Sequence, residues 1–209
     1  MKLILVSQRV SEERNYKERR DCLDQRWHLL FKEAGLLPIL MPNNISATQA
    51  ILKKIKPDGL LLTGGNSLSK YGGDALERDE AEKYALKYAI EKNIPVLGVC
   101  RGMQLIQDYF GVILKEVEGH VATRVELDGE SGRFGELYEK LPSVNAYHNL
   151  GATHTSDSLK VCAKSNKGIV MAIEHRKHNI YGCMWHPERE NPIKKIDIDH
   201  MKNIFGVNI

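Results

Sequence analysis

The chain has 209 residues, of which 42% are hydrophobic, and we predict a single domain over residues 1–209 because two domains would need a longer chain. The net charge of +3 is too small to indicate nucleic-acid binding. The four cysteines lack Cys-x-x-Cys spacing, which favours a reducing compartment over a disulfide framework or a zinc site. No stretch is typical of a signal peptide or a membrane span, so we expect a cytoplasmic protein that does not bind membranes.

The first half of the chain alternates short apolar runs with amphipathic segments. The apolar runs predict strands at residues 2–6, 36–41, 59–63 and 95–99. The amphipathic segments predict helices at residues 22–34, 48–56, 79–92 and 104–110. Residues 7–20 are polar and charged and are expected to form a loop after the first strand. This alternation predicts a parallel sheet with helices on both faces.

The pattern changes after Gly111, where several short apolar runs follow one another with turn residues between them. Strands are predicted at residues 112–117, 121–127, 159–163, 168–174 and 180–185. Closely spaced strands favour antiparallel pairing, so we expect a mostly antiparallel second half. A final helix is predicted at about residues 193–205.

Cys100 lies between a predicted strand and a predicted helix, with Gly98 and Gly102 on either side. A strand, a Gly-x-Cys-x-Gly turn and a helix form the cysteine version of a nucleophile elbow, in which glycines let neighbouring backbone approach closely. The helix N-terminus would favour the thiolate, and Arg101 would add positive charge. The alternative is a buried structural cysteine.

A cysteine nucleophile needs a base, and the base needs a group that orients it. The segment Ile180-Tyr-Gly-Cys-Met-Trp-His-Pro-Glu188 offers both at the end of another predicted strand. His186 would move the proton, and Glu188 would fix the imidazole tautomer. Taken alone, a His-x-Glu pair is more often found on a solvated surface.

Two motifs resemble the class I glutamine amidotransferase superfamily, namely Gly98-Val-Cys-Arg-Gly-Met-Gln104 and Trp185-His-Pro-Glu188. Within it the chain is most similar to the γ-glutamyl hydrolase branch, because Arg101 and the Arg78-Asp79…Glu82 segment also fit. The resemblance implies one α/β domain with a flavodoxin-like three-layer sandwich, in which a mostly parallel central sheet has antiparallel strands in its C-terminal half. It also implies Cys100, His186 and Glu188 as the catalytic triad.

The resemblance further implies how a γ-glutamyl substrate would be held. The backbone N–H groups of Gly65 and Arg101 would form the oxyanion hole. The substrate contacts implied or suggested by these motifs are at Asn66, Gln104, His148 and Asn149. Members of the family often carry serine and glutamine where this chain has Ala146 and Leu150. Neither a metal nor an organic cofactor is implied.

The implied reaction is hydrolysis of a γ-glutamyl amide to glutamate and an amine through a glutamyl thioester. Five basic residues follow the first strand: Arg9, Arg14, Lys17, Arg19 and Arg20. Arginine clusters suit phosphate groups, so we expect Arg19 and Arg20 to contact a nucleotide-linked substrate. Alternatively, these arginines pair with the acidic residues among them.

The opening stretch also resembles a subgroup found with surface-polysaccharide genes, whose activity converts γ-glutamyl-CDP-amidate to cytidine diphosphoramidate and glutamate for capsule phosphoramidate modification. That small-molecule substrate is our specific hypothesis, with no obligate protein partner. Three alternatives stay open. The chain could hydrolyse γ-glutamyl-γ-aminobutyrate or γ-glutamyl polyamines, supply ammonia to a synthetase as a glutaminase subunit, or bind a ligand without catalysis.

Overall fold

The computed structural model describes residues 1–13, 15, 17–130 and 132–207, without the side chains of residues 136 and 137. Arg14, one of the five basic residues after the first strand, lies outside the described residues. The strands are β1 (Lys2–Ser7), β2 (Arg9–Glu13), β3 (Glu18–Cys22), β4 (Leu36–Met41), β5 (Gly59–Leu62), β6 (Val96–Val99), β7 (Lys115–Glu116), β8 (Val121–Gly129), β9 (Ser143–Tyr147), β10 (Leu150–Gly151), β11 (Leu159–Ser165), β12 (Val170–His175) and β13 (Ile180–Cys183). The helices are α1 (Arg26–Ala34), α2 (Ile45–Ile55), α3 (Leu76–Lys92), α4 (Arg101–Tyr109), α5 (Gly135–Glu139) and α6 (Lys195–Phe205), with short 3-10 turns at Ser69–Tyr71 and Pro187–Arg189.

One nine-stranded sheet runs through the molecule in the order β4-β1-β5-β6-β13-β12-β11-β8-β9. The pairings from β4 to β13 are parallel. Those from β13 to β9 are antiparallel. The first four strands follow the flavodoxin-like order, in which the direction of winding reverses between β1 and β5. The predicted α/β architecture, with its antiparallel C-terminal half, is confirmed.

The helices cover this sheet in two sets. Helices α1 and α6 pack against each other, and α3 packs against both α2 and α4. Strands β5 and β6 are buried along their whole length, which explains their continuous apolar sequence. Helix α1 ends where predicted, at Gly35 in the left-handed conformation. Among the described residues, no helix combines the length and apolar composition that crossing a membrane requires.

The segment after the first strand differs from the prediction, because β2 and β3 form a separate antiparallel hairpin instead of a loop. Neither strand has the apolar alternation that identifies a strand in a sequence. Opposite charges face each other across the hairpin, with Glu12 opposite Arg19. Such cross-strand pairs stabilise a hairpin without an apolar face. The strand predicted at 112–117 shrinks to β7, and α5, β9 and β10 were not predicted.

A cluster of buried charges joins α3 to α4. Arg78 and Arg101 both bind Glu82, and Arg101 also binds Asp79. All four side chains are at most 5% exposed. Burial opposes the charge of Glu82, yet the two arginines outweigh it and lower the pKa of this carboxyl. The cluster is balanced, with two positive and two negative groups, and each group depends on its partners.

We predict that Glu82→Gln lowers the free energy of unfolding by about 3–5 kcal/mol, because it leaves two buried arginines with one carboxylate. Denaturant titration of both proteins measures the difference. Glu91→Gln is the matched control, since this residue lies on the same helix in an exposed pair with Lys87. We expect the control to unfold like wild type. Equal stability of all three proteins would contradict the role assigned to the cluster.

Candidate active site

The sharp turn predicted at Cys100 is present. Cys100 has φ 52° and ψ −107°, a conformation that side-chain-bearing residues rarely adopt. It follows β6 directly and precedes the first residue of α4. A Cβ on Gly98 would lie 2.6 Å from the backbone of Gly102, and one on Gly102 would overlap the Leu62 carbonyl. The two glycines are therefore needed for β6, α4 and β5 to pack this closely.

His186 and Glu188 lie beside Cys100 at the end of β13. His186 Nδ1 donates a hydrogen bond of 2.6 Å to Glu188 Oε1, and both residues are buried. Asn145 holds the backbone of His186 from both sides, accepting from its N–H at 2.8 Å and donating to its carbonyl at 2.9 Å. A Cβ on Gly64 would lie 2.5 Å from His186 Cε1, so glycine at this position gives the imidazole its space.

The electrostatics of the pair favour a protonated imidazole. Burial alone would lower the pKa of His186, but hydrogen bonds with Cys100 and Glu188 raise it to about 9. The Arg101 guanidinium contributes less than the sequence suggested. It turns away into the buried cluster with Asp79 and Glu82, where its charge is matched. The local charge that can support a Cys100 thiolate is therefore His186 together with the N-terminus of α4.

The loop after β5 presents the backbone groups predicted for an oxyanion hole. Within the described residues, no hydrogen bond uses the N–H groups of Gly65 or Arg101. The carbonyls of the same loop are occupied, because Arg78 donates to Thr63 O at 2.8 Å and to Gly65 O at 2.6 Å. Arg78 thus fixes the loop through its acceptors and leaves the N–H of Gly65 available.

A cavity of about 330 Å³ contains Cys100 together with most of the predicted substrate contacts. Gln104, His148 and Asn149 all line it. The carbonyl of Leu150, where relatives often have glutamine, accepts hydrogen bonds from Gln104 Nε2 and His148 Nδ1, each at 3.0 Å. Backbone at position 150 therefore orders these side chains, and the identity of its side chain matters less.

His148 is neutral in this cavity. Burial lowers its pKa to about 4, and the bond to the Leu150 carbonyl places the proton on Nδ1. Its Nε2 is buried without a hydrogen-bond partner among the described residues. This nitrogen can accept a hydrogen bond from a ligand in the cavity.

Asn66 also lines the cavity, but its side chain is already engaged. Its amide oxygen accepts from Val10 N–H at 2.8 Å, and its amide nitrogen donates to Val10 O at 2.9 Å. Arg78 donates to the same oxygen at 3.1 Å. The side chain therefore ties the β2–β3 hairpin to the loop after β5, and its placement does not favour a direct substrate contact.

Arg19 and Arg20 do not line any cavity that contains Cys100 or His186. Arg19 binds Glu77 at 2.5 Å, and Arg20 binds Glu18 at 2.6 Å, both on the surface. The expected phosphate contact is therefore corrected in favour of the ion-pair alternative. The reason is the hairpin, which directs these two side chains towards acidic neighbours.

Sequence reasoning gave no role to three residues next to the site, namely Gly64, Asn145 and Arg189. Arg189 directly follows the Trp-His-Pro-Glu motif and lines the Cys100 cavity, so its position beside the motif was a usable signal. Asn145 acts through backbone contacts that no local pattern predicts. A larger cavity of about 600 Å³ lies between α1 and the segment after β13, without contact to Cys100.

Known proteins share this fold and much of this sequence. A γ-glutamyl-CDP-amidate hydrolase of Campylobacter jejuni is 30% identical over 201 residues, covering 92% of this chain and 93% of the relative. One component of a glutamine-hydrolysing GMP synthase of Methanosphaera stadtmanae is 29% identical and covers 71% and 74%. A crystal structure described as one component of a GMP synthase of Thermoplasma acidophilum superposes with a TM-score of 0.72 at 21% identity, covering 99% and 94%, which shows the fold alone.

The match to a family description covers most of the chain and includes Cys100, His186 and Glu188. The family is Peptidase C26, and the matched residues are 3–188. The chain therefore belongs to the Peptidase C26 family of class I glutamine amidotransferase-like hydrolases.

Proposed function

We propose that the chain is a cysteine-dependent hydrolase of γ-glutamyl amides, with Cys100 as nucleophile, His186 as acid and base, and Glu188 as the group that orients the imidazole. The observation that carries the proposal is the meeting of these side chains in one buried site. His186 lies between Glu188 and Cys100, and the pKa of His186 is raised to about 9 by both. The cavity of about 330 Å³ is within the usual range for a small ligand.

In the first half-reaction, the Cys100 thiolate attacks the γ-carbonyl carbon and forms the C–S bond. The N–H groups of Gly65 and Arg101 stabilise the developing oxyanion. The C–N bond then breaks, and His186 gives its proton to the leaving amine. The product on the enzyme is a γ-glutamyl thioester.

In the second half-reaction, neutral His186 takes a proton from water, which attacks the thioester carbonyl. The C–S bond breaks, glutamate leaves, and the thiolate and imidazolium are restored. Gln104 and His148 hold the glutamyl group. The unpartnered Nε2 of His148 is an acceptor for the α-ammonium group, since the imidazole is neutral at pH 7.

For the leaving amine, we propose a nucleotide-linked one, so that γ-glutamyl-CDP-amidate gives cytidine diphosphoramidate and glutamate in capsule phosphoramidate biosynthesis. The support is the similarity to the Campylobacter jejuni hydrolase along nearly the full length of both chains. A second candidate is a glutaminase component that supplies ammonia to a synthetase, which the similarity to GMP synthases favours.

The substrate is tested by glutamate release from glutamine, γ-glutamyl-γ-aminobutyrate, a γ-glutamyl polyamine and γ-glutamyl-CDP-amidate. We expect the nucleotide conjugate to be cleaved with the highest kcat/KM. We expect Cys100→Ala to lower this value by about 10³-fold or more, because the covalent step is lost. Retained activity in Cys100→Ala would contradict the proposed nucleophile. Glutamine turnover only with an added synthetase would favour the second candidate.

The roles of His186 and Glu188 are tested by the pH dependence of kcat/KM. Because the pKa of His186 is raised from 6.5 to about 9, its imidazolium persists at pH 7, and activity should fall as pH rises through about 9. Glu188→Gln removes one of the two contacts that raise this pKa. We therefore expect the alkaline limb to move to lower pH, with a rate loss of about 10²–10⁴-fold.

Glu190→Gln is the matched control for this profile. Glu190 is a neighbouring carboxylate whose bonds go to Arg124 and Asn145 and not to the imidazole. We expect its alkaline limb to stay at the wild-type pH. A Glu188→Gln limb that also stays at the wild-type pH would refute the proposed coupling between Glu188 and His186.

A further inference from the structure

Two arginines that the proposed mechanism does not use lie at the entrance to the candidate site. Arg9 begins β2, just after β1, and Arg189 follows Glu188 in the 3-10 turn. Both line one narrow cleft, together with Gly64, Gly65 and His186. We call these two side chains the entrance arginines.

Arg9 lies directly against the loop that presents the Gly65 N–H. A Cβ on Gly65 would lie 3.3 Å from the Cβ, Cδ and Nε atoms of Arg9. The Arg9 side chain has no hydrogen bond or ion pair with any described residue, in contrast to Arg19 and Arg20 of the same hairpin. Its five N–H donors are therefore available to a ligand.

Arg189 is only loosely held. Its guanidinium lies 4.4 Å from the centre of the Tyr147 ring. Its Nε is 3.7 Å from Glu188 Oε1, too far for a hydrogen bond, and is buried without a partner among the described residues. That carboxylate oxygen already accepts from His186. Arg189 also lines the Cys100 cavity, so it reaches from the cleft to the nucleophile.

The charges around the entrance leave these arginines unmatched. Asp24, which lines the same cleft, is bound by Arg26 at 2.5 Å. Glu190 is bound by Arg124 at 3.0 Å. The cleft also lies at the carboxyl ends of β1 and β5, where the sheet order reverses, and open α/β sheets bind ligands at this point. A positively charged site of this kind suits an anion.

Building on the hydrolase function proposed above, we propose that Arg9 and Arg189 bind phosphate groups of the leaving amine. A planar guanidinium can donate two hydrogen bonds to one phosphate, and two such groups suit a diphosphate. The glutamyl group would occupy the Cys100 cavity, and the phosphates would lie on the other side of His186. The entrance arginines, and not Arg19 and Arg20, would then select a nucleotide-linked substrate.

The test compares kcat/KM for γ-glutamyl-CDP-amidate with kcat/KM for γ-glutamyl-p-nitroanilide, whose leaving group carries no phosphate. We expect Arg9→Gln and Arg189→Gln each to lower the ratio of these values by about 10- to 100-fold, the loss of one charge-assisted hydrogen-bonding group. Arg20→Gln is the matched control from the same hairpin, and its ratio should stay within about 2-fold of wild type. Equal losses for both substrates, or an unchanged ratio, would overturn the proposal.

A second measurement needs no turnover and so separates this proposal from the hydrolase function. Inorganic pyrophosphate should slow alkylation of Cys100 by iodoacetamide, as measured by peptide mass spectrometry. The protection should be lost in Arg9→Gln and Arg189→Gln and kept in Arg20→Gln. Absence of protection in the wild-type protein would overturn the anion site even if γ-glutamyl amides are hydrolysed. Protection without any glutamate release would overturn only the hydrolase function.

Discussion

The buried charge cluster of Arg78, Glu82, Arg101 and Asp79 is the interaction on which the rest of the site depends. Arg78 donates to the carbonyls of the loop after β5, and Arg101 is the first residue of α4. Both arginines bind Glu82, so the loop and the helix that carry the proposed oxyanion donors have one common anchor. Because unpaired charges are costly in a protein interior, the anchor has one favourable arrangement.

Close backbone packing is the second constraint, and glycine makes it possible at three positions. Gly98 and Gly102 bring β6, α4 and β5 together around the strained Cys100 turn. Gly64 leaves room for the His186 ring. A strained cysteine conformation costs about 1–3 kcal/mol and persists only where its surroundings enforce it. The packing therefore aims the thiol at the imidazole before any substrate arrives.

The β2–β3 hairpin shapes the entrance to this site. It is fastened by Asn66, which binds the backbone of Val10, and by Asp21, which binds Asn43. Fastened in this way, the hairpin holds Arg9 over Gly65, while Arg19 reaches Glu77 on α3. One basic segment thus supplies both a group at the entrance and ordinary surface ion pairs. The difference between the two lies in position and not in residue type.

The sequence by itself determined the α/β architecture, the position of the Cys100 turn and the candidate partners His186 and Glu188. These depend on local signals, namely apolar periodicity, paired glycines and short motifs. Only the tertiary structure decided which arginines face the site, because the hairpin forms through cross-strand charge pairs that leave no apolar period. It also decided that Arg101 is spent in the buried cluster and that Asn66 is a fastening residue, since their partners lie 19 and 56 positions away. Contacts at such separations depend on how the chain folds back and cannot be read from neighbouring residues.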